Sequence, residues 1–162
     1  MAMDMFLKID DLVGDSLDEK HPNEIQVLSW SWGMSQSGST HAASGGGSGK
    51  VNVQDLTFMK NIDTTTTNLI KMCCSGNHFK HALLTVRKAG GKAAVEYLKI
   101  KMQDLIISNI STGGSGGSDL ITESVTLNFA KVSVDYTPQD KTGAAGSVMS
   151  AAWNIPVNND KC

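Results

Sequence analysis

Two adjacent cysteines and two histidines fall within nine positions, Cys73, Cys74, His78 and His81, in a chain that has three cysteines and four histidines in all. Thiolate and imidazole are the ligand types of structural zinc, so the first chemistry to test is metal binding. The segment "DTTTTNLIKMCCSGN" argues against it. It carries Asp and Thr capping residues, Leu69, Ile70, Met72 and Cys73 at helical spacing, and Gly76 where a terminal glycine belongs. A short helix follows, and neighbouring helical residues point about 100° apart, so Cys73 and Cys74 diverge instead of converging on one ion. His78 and His81, if both lie in the next strand, face opposite sides. Cys73 is expected to pack as a small apolar group below Leu69, with no metal and no cofactor bound.

Other candidate chemistry dissolves in the same way. "GGGSGK" ending at Lys50 suggests a phosphate loop, but Ser44 stands where the pattern needs glycine and Val51 where it needs Ser or Thr, and "VNVQDL" reads as a strand. The carboxylates Asp10, Asp11, Asp15, Asp18 and Glu19 follow the first strand and read as a solvated loop. "GGSGG" lacks the strand-turn-helix setting of a nucleophile elbow. No catalytic residues are assigned.

The elements that must position any site are mostly strands, expected at 3–9, 24–34, 51–59, 79–87, 95–102 and 125–136 and separated by Gly-, Ser- or Asp-rich stretches. In "VEYLKIKM", Leu98, Ile100 and Met102 share one face and Tyr97, Lys99 and Lys101 the other. Gly90 and Gly91 predict a tight turn pairing the strands around them. In "SVTLNFAKVSVDY" the apolar positions change from odd to even at Ala130-Lys131, which predicts a β-bulge in a long bent strand. Trp30 and Trp32 alternate with Ser29 and Ser31, so tryptophans on the core side leave the serines on the other. These signals define a mainly β protein, an antiparallel β-barrel with one short flanking helix. Residues 1–162 form a single domain, with a long Gly/Ser-rich loop at 37–50 and a C-terminal tail at 146–162.

Fourteen basic and sixteen acidic residues give a formal charge of -2, without the basic excess that tracks nucleic acid or anionic membrane. Asp4 interrupts the apolar opening, which reads as neither signal peptide nor membrane span. Synthesis and folding are expected in the cytosol, with all cysteines as free thiols.

Taken together, "MDMFLKID", "EIQVLSWSWGMSQSG", "KVNVQDLTFMK", "NLIKMCCSGNHF", "LTVRKAGGK", "EYLKIKM", "LNFAKVSVDYTPQD" and Trp153-Asn154 resemble the haemolysin-coregulated protein (Hcp) family, the tube protein of bacterial type VI secretion. The resemblance implies a homo-hexameric ring that stacks into a tube inside a contractile sheath, meets a spike protein at its tip, holds effector proteins in its lumen and is secreted by that apparatus. It implies no enzyme and no membrane insertion. Within such a ring, Ser29 and Ser31 are expected to face the lumen, because a broad apolar lining would trap cargo. The 37–50 loop, with Ser39, His41 and Lys50, is expected to make a ring or subunit contact. Two other classes fit the residues alone: a lone lectin-like barrel using the tryptophans as a ligand platform, and a hydrolase using the acidic segment. A native mass several times 17.2 kDa separates the ring from both.

Overall fold

The structure, a computed structural model, describes residues 3–38, 48–88 and 94–162. Among these described residues are ten strands and one helix: β1 (Met3–Ile9), β2 (Ile25–Gln26), β3 (Ser29–Ser31), β4 (Met34–Gly38), β5 (Ser48–Val53), β6 (Leu56–Asn61), α1 (Thr66–Ser75), β7 (Phe79–Lys88), β8 (Glu96–Gly113), β9 (Thr122–Tyr136) and β10 (Met149–Asn154). Eight strands form one antiparallel sheet in the order β2-β1-β7-β8-β9-β6-β3, with β10 added to β9. The sheet curls into a half-barrel because residues 25–31 serve both of its ends. The Val27 N–H donates to Met5 O at 2.9 Å and the Leu28 N–H to Met59 O at 2.8 Å. Phe58, Leu7, Ile9, Leu56, Ile100 and Leu127 are fully buried inside the curl.

The alternation of "VEYLKIKM" holds: Ile100 and Met102 are buried, Leu98 packs against them, and Lys101 is exposed. The strands on either side of Gly90 and Gly91 pair as expected, Leu84 opposite Ile100 and Leu83 opposite Lys101, although the turn itself lies outside the described residues. The single helix also forms where its signals place it. Gly76 closes it in the left-handed conformation, φ 66°, and its N–H donates to Met72 O at 3.0 Å. At its start the expected Asp acts and the Thr at the cap position does not: Asp63 Oδ1 accepts from the Thr65 N–H at 2.8 Å, and Thr65 makes no side-chain cap bond. Leu69, Met72 and Cys73 turn inward while Ile70 is 41% exposed, so Ile70 leaves the apolar face the spacing suggested.

The period change at Ala130-Lys131 is real, but its cause differs from a bulge in β9. Burial passes from Phe129 to Val132, while β9 keeps one register on β8 from Lys131 opposite Gln103 to Phe129 opposite Leu105. β8 changes face at the same level, from Met102 to Leu105, with Asp104 at φ 52°. When both strands change face together no residue is left unmatched, and the only register shift between them comes later, between Ile107 and Asn109. On its other side β9 exchanges β6 for β10 across this corner, and Ala130 O accepts from the Ile155 N–H at 2.9 Å.

Further expectations on strand extent change: the strand expected at 51–59 is broken into β5 and β6, and the one expected at 95–102 runs on as β8 to Gly113. The expected strand at 24–34 is broken into β2, β3 and the start of β4, and the 37–50 stretch is partly strand. β4 and β5 pair as a separate two-stranded sheet that enters both ends of that stretch, Gly38 opposite Ser48.

The acidic segment after β1 is a strap across the outside of the sheet. It fits closely against the chain, since a Cβ on Gly14 would meet Glu24 O at 2.4 Å. Its carboxylates make structural bonds. Asp10 accepts the N–H groups of Lys80 and His81 at 2.6 and 2.9 Å, Asp15 accepts the Thr64 hydroxyl at 2.8 Å, and Asp18 pairs with Arg87.

Candidate functional site

Ser29 and Ser31 sit on β3 with both side chains exposed, and Trp30 between them packs against the core opposite Phe58. The period of two has therefore sorted this strand as expected. Trp32, just beyond β3, is also half-buried. It lies 6.2 Å from Phe129, ring centroid to centroid, and its indole N–H donates to Gln54 O at 2.9 Å. Neither tryptophan is a free-standing aromatic platform.

Beside them the β4–β5 hairpin and the β9–β10 corner enclose an open groove of about 410 Å³, lined by Trp32, Met34, Val51, Val53, Val134 and Trp153. No charged side chain lines it among the described residues. One border is β10, "MSAAWN", which carries neither charge nor proline and whose second edge pairs with no strand among the described residues. Unguarded edges of this kind are templates for another chain. Sequence reading placed β10 in the tail and so missed this surface, since "VMSAAW", with Ser150 as its one polar residue, shows no period of two. Lys50 is exposed on β5; Ser39 and His41 lie outside the described residues.

The cysteine-histidine stretch does not converge. Cys73 packs against the core, Cys74 is exposed, and no cluster of three or more His, Cys, Asp or Glu suited to a metal occurs among the described residues. His78 precedes β7, so strand alternation does not separate it from His81, and both line one open cleft on the outer face.

Charged groups outside this stretch form two structural clusters that sequence reading missed, because each joins residues distant along the chain. In one, Lys60 and Glu123 are cross-strand partners on β6 and β9 and are wholly buried. Lys60 Nζ donates to Glu123, to Asp63 Oδ1 at 2.8 Å and to Asn61 O at 3.2 Å, and Thr66 Oγ1 donates to Glu123 Oε1 at 2.8 Å. In the other, the His21 ring stacks on Phe6 at 4.5 Å between Glu24 and Glu96, 3.0 and 2.8 Å from its nitrogens, and Arg87 lies 5.0 Å over Phe6. The Arg87 hydrogen bonds hold the Asp18 carboxyl down at about 2, and Asp18 in turn raises Arg87. Burial pushes Glu96 upward, but bonds from Lys99 and His21 outweigh it and leave its pKa lowered.

The fold is thus a curled antiparallel β half-barrel with an uncharged groove, an edge strand left unpaired among the described residues and a separate two-stranded sheet beside it. The chain belongs to the Hcp family of type VI secretion: residues 6–136 match the family described as "Type VI secretion system effector, Hcp". It is 58% identical over 159 residues, 98% of each chain, to protein hcp1 of Pseudomonas aeruginosa. Among solved structures it resembles Hcp1 from Salmonella typhimurium, with 41% identity, a TM-score of 0.83, and 99% and 100% of the two chains covered. It also resembles a type VI secretion system effector from Yersinia pestis, with 35% identity, a TM-score of 0.77, and 94% and 100% covered. The protein is thus a type VI secreted Hcp protein, and no helix among the described residues is long and apolar enough to cross a membrane.

Proposed function

We propose that the protein is a structural subunit of the type VI inner tube. Six copies close into a ring, the rings stack within the contractile sheath below the spike protein, and effector proteins travel in the lumen until the tube is exported. The observation that carries this reading, beside family membership, is the uncharged groove bordered by the unguarded edge of β10. A large apolar surface of this kind marks a contact with another chain. Ser29 and Ser31 face the lumen, and the 37–50 segment with Ser39, His41 and Lys50 reaches a neighbouring ring or subunit. The protein has no catalytic role and needs no cofactor.

The partial burial of Trp30 and Trp32 weighs against the lectin-like alternative, and the structural bonds of Asp10, Asp15 and Asp18 weigh against the hydrolase. Native mass spectrometry tests the proposal. The expected species is six times the 17.2 kDa chain, and a monomer at every concentration up to that of the cell would overturn it.

A further inference from the structure

The outer face of the sheet carries a set of lysines that neither the fold nor the assembly reading uses. Cross-strand pairing puts Lys8, Leu83, Lys101 and Ser133 in one row across β1, β7, β8 and β9, because Lys8 is opposite Leu83, Leu83 opposite Lys101 and Lys101 opposite Ser133. The adjoining row is His81, Gln103 and Lys131. Residues directly opposite in a sheet share a face, so Lys8, Lys101 and Lys131 project from the same side. Lys8 and Lys101 are exposed, Lys131 is half-buried, and none has a carboxylate partner among the described residues.

Lys8 and Lys101 line an open cleft of about 740 Å³ together with Leu83, Lys80 and His81, and Lys131 stands in the row beyond it. Asp10 and Asp11 stand at one end. Both oxygens of Asp10 are already taken by the Lys80 and His81 N–H groups. Lysines so placed repel one another across the sheet, and Lys8 and Lys101, two strand spacings apart, stand about 10 Å from each other. Asp10 and Asp11 on one side and Asp135, opposite Lys99, on the other bound this basic group.

We propose that this face is a docking surface for an extended, carboxylate-rich peptide segment, whose acidic groups meet Lys8, Lys101 and Lys131 while its apolar or small side chains rest on Leu83. Charge complementarity selects the partner, and the half-buried Leu83 floor suits a peptide better than a bare anion. The Asp10-Asp11 end limits how far a polyanion can extend, which disfavours a nucleic-acid backbone with its unbroken line of phosphates. The surface lies on β1, β7, β8 and the second half of β9, away from β3 with Ser29 and Ser31, so it stands apart from the lumen assignment.

Fluorescence anisotropy of a fluorescein-labelled peptide of alternating Glu and Ser, titrated with the whole protein, tests the proposal. Saturable binding that weakens as salt rises is expected, with an affinity lower by about tenfold or more in the Lys8→Glu/Lys101→Glu variant, where attraction becomes repulsion. Lys71→Glu, on the exposed side of α1, should bind as the parent does. Circular dichroism checks the fold, and Lys8→Gln/Lys101→Gln replaces the reversal if that variant is unfolded. The proposal fails if the peptide does not bind at low salt, if the substituted protein binds it equally, or if a single-stranded oligonucleotide of equal charge binds more tightly.

Discussion

Glu123 is the residue that departs furthest from expectation, an acidic side chain only 1% exposed with one oxygen bonded and the other, Oε2, without a partner among the described residues. Its bond to Lys60 is surrounded by Asp63 and Thr66, so removing one member strands the others. Lys60→Met is expected to destabilise the protein by about 3–5 kcal/mol, whereas Lys60→Met/Glu123→Leu should recover most of that loss, because burying two charges consumes much of what their attraction returns. Urea unfolding of the parent, both single variants and the double variant measures it, and an additive result would refute the coupling. Asp18 makes a pH-dependent prediction. Its folded pKa of about 2 lies below the ordinary 3.8, so its contribution is complete above roughly pH 4 and disappears as pH falls towards 2. Glu96, also lowered, acts in the same direction. The urea midpoint should drop over that interval, and Asp18→Asn should make the drop shallower while lowering stability at neutral pH.

At the scale of elements, the hairpin β4–β5 is the separable part. It forms its own two-stranded sheet, and its strands are largely exposed or half-buried, whereas the main sheet holds the core. Replacing residues 38–48 by a short turn should therefore leave the thermal midpoint within a few degrees of the parent, since little buried apolar area is lost. The same change should impair stacking of rings. Circular dichroism melting and electron microscopy of the same preparation separate these outcomes, and tubes as abundant as those of the parent would remove the hairpin from the ring contact. The helix behaves oppositely: Leu69 is fully buried and ties α1 to the core.

For the whole molecule, the sorting of β3 into half-buried tryptophan and exposed serine matters most. Replacing Ser31 by Glu adds charge to an exposed position without touching the Trp30 contact with the core, so folding and ring formation should persist. If Ser31 lines the lumen, effectors co-purified from the producing cell should fall about tenfold or more, since an unpaired charge buried under cargo costs several kcal/mol. Retention of every cargo at the parental level, by quantitative mass spectrometry, would refute the placement.

Local periodicity was enough to locate most of the strands, the helix ending at Gly76 and the inward turn of Trp30, because each depends on side chains a few positions apart. The family was legible from quoted segments spread along the chain. What escaped the sequence depends on distant partners. β10 is a strand only because β9 offers it an edge past Ala130, and the expected bulge at Ala130-Lys131 became a paired change of face because Asp104 of β8 turns with it. Lys60 reads as a surface residue until Glu123 is set opposite it, and Lys8 and Lys101, 93 positions apart in the numbering, become neighbours only across β7. A sheet's pairing is non-local, so the faces it builds, whether buried ion pair, groove or basic surface, are decided by the tertiary fold.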